Sequence, residues 1–338
     1  MLLENVVAVT GGRLLNTPAI SRFDTVVLSP NRAARGSLYV ARNGEGIGEA
    51  IDNGAYGIVT DAEVTPTDPE VAWIRVKSLA SAMPRLLRLW LVIHPRNLIR
   101  VDPFVLEYLR LVASDHRVIP LSDDPQRASE QIFTSRPESA IFSADGRFLD
   151  RIGVSAPPGV SSPIGLRIVK EGLFESSAIL DGVYHDRIPV PGCMLPFLAD
   201  AVGILKAEGL AHTLSRIAYT PSFEPVFVDS KLRPLPFGEG ERVLLFADER
   251  LPQTCWAQLG AIRWTECKLF APTQIKFRCD IKIATVAYGS DEELFRKLRD
   301  RSDKPGYRVL VGVKSRRFFD RLFRGGPAGT PSHTKGLF

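Results

Sequence analysis

Histidine and cysteine are scarce in this chain of 338 residues, with five of the first and four of the second. His94, His116, His185, His212 and His333 form no H-E-x-x-H or other metal-ligand spacing. Cys193, Cys255, Cys267 and Cys279 include none of the close C-x2-C pairs that structural zinc sites use. They read as reduced cytosolic thiols. Long apolar runs are missing too. The best candidate, Ala80–Ile93, is interrupted by Pro84, Arg85 and Arg88, so it falls short of the roughly 18 residues of a transmembrane helix. Met1-Leu2-Leu3-Glu4-Asn5 puts no basic flank ahead of an apolar core, which predicts no secretory signal. Together these absences point to the cytoplasm.

The motifs of common chemistries are also missing. No G-x-x-x-x-G-K-[ST] loop is present. Such a loop needs glycines so that backbone N–H groups can approach phosphate, and a lysine for its charge. The nearest string, Gly312-Val313-Lys314-Ser315, lacks the upstream glycine. Gly44-Glu45-Gly46-Ile47-Gly48 lacks the last spacing of a dinucleotide fingerprint. No G-x-S-x-G elbow occurs. Tyr184-His185-Asp186 is the most polar cluster, but strand alternation sends His185 to the face opposite its neighbours, as on a surface hairpin. Asp123-Asp124 and Glu292-Glu293 stand at expected helix starts, where the macrodipole accounts for them. The residues alone name no catalytic group.

What is present is an ordinary globular composition, 45% apolar and 24% charged, with a net charge of +5. The mild excess does not predict a nucleic-acid partner. It gathers in Lys314, Arg316, Arg317, Arg321 and Arg324, which read as the solvated face of a last amphipathic helix. Strands are expected at Phe23–Leu28, Ser37–Ala41, Tyr56–Thr60 and Val71–Val76. A short helix is expected over Ile47–Asn53, closed by a left-handed Gly54, and a longer one from Ser78 to Ile93 that Pro84 kinks or delays. Asp102-Pro103 and Asp124-Pro125 open two more helices, with strands at Val118-Ile119 and Ser139–Ser143. Ala156–Gly159 reads as a linker. Asp181-Gly182 predicts a type I′ hairpin between Ser176–Leu180 and Val183–Val190. Helices follow at Leu195–Glu208 and Ala211–Ile217. The last third alternates strands at Arg242–Phe246, Ile281–Ala287 and Tyr307–Val311 with helices at Ser290–Asp300, which opens on a capping box, and Arg316–Phe323. A loose tail is expected from Gly325.

Ordered pieces of the chain resemble the Mur ligases, ATP-dependent enzymes that extend UDP-N-acetylmuramoyl peptides. Ser29-Pro30-Asn31-Arg32-Ala33-Ala34-Arg35-Gly36-Ser37-Leu38-Tyr39-Val40-Ala41-Arg42-Asn43-Gly44 is similar to that family's D-S-R-x-V-x-x-G-D-L-F-V-A-L-x-G, and Gly54–Val59 to the following G-A-x-x-[VI]-[VI]. Ile188–Gly192 and Phe223-Glu224-Pro225-Val226 are similar to its L-P-G and F-x-P-V stretches. Gly306–Arg316 is similar to its closing G-D-x-V-L-V-K-G-S-R.

The resemblance implies a multidomain α/β fold. It places an N-terminal mixed α/β domain over 1–95 and a reduced central α/β domain over 96–240. A Rossmann-like C-terminal domain follows over 241–324, with a flexible tail over 325–338. The family's G-T-[NK]-G-K-T loop belongs near Ile93–Val101, where the glycines and the lysine are missing. The implied reading is a peptidoglycan-related protein, a ligase homologue without ATP-dependent ligase activity. Its partners would be a UDP-muramoyl precursor or another cell-wall enzyme. Two alternatives remain: an active ligase that takes Mg-ATP at an unrecognised site, and a scaffold whose basic C-terminus meets an anionic partner. The resemblance nominates Ser29, Asn31 and Arg32 for a UDP contact, Asn43 and Gly44 for the border of that pocket, and Lys314, Ser315 and Arg316 for the C-terminal substrate region.

Overall fold

In the computed structural model, residues 1–240, 242–274, 283–300 and 305–324 are described. They divide into two compact units. One comprises 1–162 with 201–213, the other 163–200 with 214 onward.

The first unit opens with helix α1 (Leu3–Thr10) and a sheet of five strands: β1 (Arg13–Leu14), β2 (Thr25–Val27), β3 (Ser37–Ala41), β4 (Gly57–Thr60) and β5 (Ala72–Arg75). The order is β1-β5-β4-β3-β2, with β2 to β5 parallel and β1 antiparallel at the edge. All five residues of β3, Ser37-Leu38-Tyr39-Val40-Ala41, are buried, as befits an inner strand of a parallel sheet covered on both faces. Helix α2 (Ile47–Asp52) joins β3 to β4, and Gly54 follows it at φ +92, the left-handed turn expected there.

Helix α3 (Leu79–Ile93) buries Leu79, Ala82, Leu86, Leu87, Trp90 and Leu91, the spacing of one helical face. It starts directly after Ser78, so Pro84 does not delay it. The Ser78 side chain makes no cap hydrogen bond. Asp61 does that work instead, its Oδ2 accepting from the Leu79 N–H at 3.1 Å.

A second, all-parallel sheet in this unit has β6 (Asn97–Arg100), β7 (Val118–Pro120) and β8 (Ala140–Ser143) in the order β6-β8-β7. Helices α4 (Pro103–Val112), α5 (Pro125–Phe133) and α6 (Gly146–Ile152) follow its strands. Asp102, Asp124 and Asp145 cap them, each carboxylate accepting from backbone N–H groups one turn in. One core runs through the unit, joining Leu38, Val59 and Ile74 to Leu86, Trp90, Leu98, Ile141 and Leu149.

The helix expected at Ala211–Ile217 does not form. His212 pairs with Ala113 as an isolated antiparallel bridge, and the Thr213 and Ser114 N–H groups donate across it. Tertiary backbone pairing overrides the local preference.

The second unit holds a three-stranded antiparallel sheet of β9 (Leu166–Lys170), β10 (Ser176–Leu180) and β11 (Val183–Ile188). Asp181 and Gly182 sit at φ +53 and +81, the expected hairpin turn. Helix α7 (Leu195–Ala207) contributes residues to both units.

A six-stranded mixed sheet follows, built from β12 (Phe223–Val228), β13 (Pro234–Leu235), β14 (Arg242–Ala247), β15 (Glu266–Pro272), β16 (Ala284–Tyr288) and β17 (Gly306–Val311). Its order is β13-β12-β14-β17-β15-β16, and the last four are mutually parallel. Helix α8 (Gln253–Gly260) follows β14. Helices α9 (Asp291–Leu298) and α10 (Ser315–Arg324) pack on the face that carries Leu244, Phe246, Phe270 and Leu310. The capping box at Ser290 forms in part: Ser290 Oγ accepts from the Glu293 N–H, while the Glu293 carboxylate accepts from the Gly289 N–H.

The cysteines need a correction. Cys193 and Cys255 form a disulfide, with Cα atoms 5.2 Å apart. A separation of 62 residues hid the pair from any spacing rule, because the topology alone brings the Gly192–Met194 turn to α8. Cys267 is a free thiol, pushed up to about 11 by burial. Cys279, the start of the Ile281–Ala287 strand and the Gly325 tail lie outside the described residues.

Candidate functional site

The carboxyl edge of the N-terminal sheet carries a cleft of about 470 Å³. Open α/β sheets take ligands at this edge, because the loops that leave parallel strands meet there. Arg42 and Asn43, which follow β3, line it together with Asp61, which follows β4. Ser78 at the start of α3, Gln126 of α5 and Arg151 of α6 complete its polar wall. Leu28, Met83, Leu87 and Phe148 supply the apolar part. Asn43 holds φ +51, a conformation asparagine tolerates better than most residues, and the turn aims the chain away from β3 into the loop at the cleft. Arg42 reaches Gln126 Oε1 at 3.4 Å. With Ser129 of α5, the arrangement offers two guanidinium groups, one carboxylate, two amides and two hydroxyls over an apolar floor. That mixture suits a polar ligand with an anionic part.

The other nominated residues of this unit do not line that cleft. Ser29 Oγ donates to Glu130 Oε1 at 3.1 Å, and Arg32 pairs with the same oxygen at 3.3 Å. Both therefore fasten the strand-end loop after β2 to α5. Asn31 is exposed on the short 3-10 turn Pro30–Arg32. Gly44, at φ +74, packs against Ala62, where an added Cβ would come within 3.2 Å of the Ala62 Cβ. Arg42, Asp61, Arg151 and Glu130 were missed by the sequence reading. Only Asp61 carried a signal, as an acidic residue directly after a strand.

Where the resemblance calls for a phosphate loop, near Ile93–Val101, the chain forms β6. The strand passes into α4 across Val101 and Asp102 alone. Pro103, the first helical residue, has no N–H. The Phe104 N–H is held by the Asp102 carboxylate at 2.8 Å, and the Leu106 N–H by the Asp102 carbonyl. A helix N-terminus of this kind places a carboxylate where a phosphate would otherwise lie.

In the second unit, β14 and β17 are parallel neighbours whose exit loops enclose a crevice of about 270 Å³. Asp248, Glu249, Arg250 and Lys314 line it. Burial opposes ionisation of Asp248, but hydrogen bonds from the Arg250 side chain and backbone, with the charges of Arg250 and Lys314, hold its carboxyl below the ordinary value. Lys314 Nζ lies 4.0 Å from Asp248 Oδ2. Ser315 donates to the Glu224 carboxylate of β12, whose pKa burial raises despite that bond and the nearby Lys314. Arg316 is exposed. Of the three nominated here, Lys314 alone lines the crevice. Among the described residues no group of three or more His, Cys, Asp or Glu is placed to hold a metal ion. No described helix is long and apolar enough to cross a membrane.

No family model matches the sequence, and no curated protein matches it. Solved structures do resemble the fold. The MurF ligase of Thermotoga maritima, solved in complex with ADP, superposes with a TM-score of 0.53 at 13% identity, covering 90% of this chain and 96% of that one. MurF from Acinetobacter baumannii gives a TM-score of 0.50 at 9% identity, covering 96% and 98%. Identities this low speak for architecture alone. On that ground the protein has a multidomain α/β fold of the Mur-ligase type.

Proposed function

We propose that this protein acts in peptidoglycan metabolism as a binding relative of the Mur ligases. In this reading it holds a UDP-muramoyl precursor and does not form an acyl phosphate from ATP. One observation carries the second half: the turn from β6 to α4 is two residues long and closed by Asp102 and Pro103. A phosphate cradle needs free backbone N–H groups and a lysine. Here the first N–H is missing, the second is bonded to a carboxylate, and the turn from Arg100 to Pro103 holds no lysine.

The first half rests on the cleft at the N-terminal sheet. In this reading Arg42 and Arg151 would meet the diphosphate, Asn43 and Gln126 the amide edges of the base, and Met83, Leu87 and Phe148 its apolar face; all of them line the cleft. The cytoplasm is the compartment this reading requires, and another cell-wall enzyme is the partner it would serve. Stable disulfides are rare in that compartment, so the Cys193–Cys255 bond weighs against it.

The test is calorimetric titration of UDP-N-acetylmuramic acid into the full chain and into an Arg42→Ala/Arg151→Ala double variant. Binding by the parent that weakens about tenfold or more in the variant supports the reading, a size expected for losing charge-assisted contacts to a diphosphate. Equal binding by both, or none by the parent, removes it.

A further inference from the structure

A second cleft in the C-terminal sheet, of about 320 Å³, lies on the other side of the loop that leaves β17. The ends of β15, β16 and β17 form its base, and α10 forms one wall. Three cations face it: Lys314 from the loop, and Arg317 and Arg321 from successive turns of α10. Asp291 is the acid in its lining, and it is already paired with Arg321. Lys314 lies 4.0 Å from the Asp248 carboxylate on the neighbouring crevice and near that of Glu224, neither of which lines this cleft. Arg317 makes no ion pair with a described residue. Tyr288 and Phe318 close the apolar base. The lining of the cleft therefore holds three cations and one carboxylate.

The backbone adds to this. Gly312, at φ +70, turns the chain out of β17, and Val313-Lys314 lead at once into α10. The first helical hydrogen bond of α10 runs from the Phe318 N–H to the Lys314 carbonyl, so the N–H groups of residues 315–317 have no acceptor within the helix. The α9 terminus on the opposite wall is different, because Ser290 and Glu293 cap it. Strand, glycine turn, lysine and an open helix start recur wherever backbone N–H groups receive an anion. Here they coincide with a cavity and two further arginines.

We propose that this cleft is a binding site for a small phosphorylated ligand, with Lys314 and Arg317 contacting the phosphate. The α10 N-terminus would donate to the same oxygens, and Arg321 would remain tied to Asp291 at the rim. A volume near 320 Å³ admits a phosphorylated metabolite of modest size. The site lies in the second unit, and the proposal does not depend on the reading of the N-terminal cleft.

The experiment is calorimetric titration of inorganic pyrophosphate into the full chain at low and high salt, with the Arg42→Ala/Arg151→Ala chain as the parent, so that the N-terminal cleft takes no part, and with Arg317→Glu and Lys231→Glu added to it. Circular dichroism confirms that each variant is folded. Arg317 is exposed, so its replacement leaves the core intact. The expected result is saturable binding by the parent that weakens with salt. Lys231→Glu, an exposed position that lines neither cleft, should leave it unchanged, and Arg317→Glu should lower it about tenfold or more, as loss of a charge-assisted contact and gain of a repulsion require. Binding that survives Arg317→Glu overturns the proposal. An equal loss in Lys231→Glu overturns it as well, because the attraction is then not particular to this cleft. Absence of binding by the folded parent at low salt overturns it outright.

Discussion

Replacing Asp102 by alanine tests how the start of α4 is closed. The Asp102 carboxylate accepts from the Phe104 N–H at 2.8 Å, and Phe104 is buried. Without that oxygen the N–H loses its acceptor in a place water reaches poorly. Loss of an aspartate N-cap costs about 1 kcal/mol, with about 2 kcal/mol as the upper bound for a partly buried donor. Asp102→Asn keeps an acceptor and loses only the charge, so its cost should stay at a few tenths of a kcal/mol. Hydrogen exchange of the α4 amides is the assay, since two units in one chain need not melt together. Amides within Leu106–Val112 should exchange about fivefold faster in Asp102→Ala, the factor that 1 kcal/mol gives, and scarcely faster in Asp102→Asn. Neither variant should acquire saturable Mg-ATP binding, because Pro103 still lacks its N–H and no lysine has been added. Unchanged exchange in Asp102→Ala, or nucleotide binding released by it, would refute the reasoning.

Three further outcomes follow from particular contacts. Glu130→Ala should destabilise the first unit by about 1 kcal/mol, because Ser29 and Arg32 both lose their acceptor, whereas Arg32→Ala should cost under about 0.5 kcal/mol, its side chain being 59% exposed; urea unfolding read from Trp73 and Trp90 measures both. Burial raises the Glu224 pKa, so the folded state favours its protonated form, and the stability this contributes is present at acid pH and lost as pH rises through the folded-state pKa. The melting temperature of Glu224→Gln relative to the parent should therefore climb across that window, and a flat difference would contradict the burial argument. The Cys193→Ser/Cys255→Ser variant should lose up to about 4 kcal/mol in the second unit under non-reducing conditions, the chain-entropy value for a loop of this length, and reductant should bring the parent down to the same level.

Much of the architecture was legible because local rules and tertiary packing agreed. β3 appeared at its expected bounds, Asp181-Gly182 formed its turn, and Asp102, Asp124 and Ser290 sat at the helix starts they marked. The failures came where long-range partners decide. β6 has the unpromising sequence Asn97-Leu98-Ile99-Arg100, and it becomes a strand because β8 pairs with it. α6 and α8 are too short to show a period, and β15 mixes charged and apolar residues. The site was less legible than the fold. Ser29 and Arg32 looked like ligand contacts, yet their shared partner Glu130 lies about a hundred residues away. The arginines of the N-terminal cleft, Arg42 and Arg151, come from different layers and share no motif. The absent phosphate loop was visible in the sequence; in the structure Val101 and Asp102 make the turn from β6 to α4, which Asp102 caps and Pro103 opens.

The most direct measurement of the central claim is paired calorimetry on the full chain, with Mg-ATP in one cell and UDP-N-acetylmuramic acid in the other. The account predicts saturable binding of the UDP-sugar without ATP, and no saturable heat from Mg-ATP. Saturable Mg-ATP binding, or UDP-sugar binding that appears only when ATP is present, would contradict it.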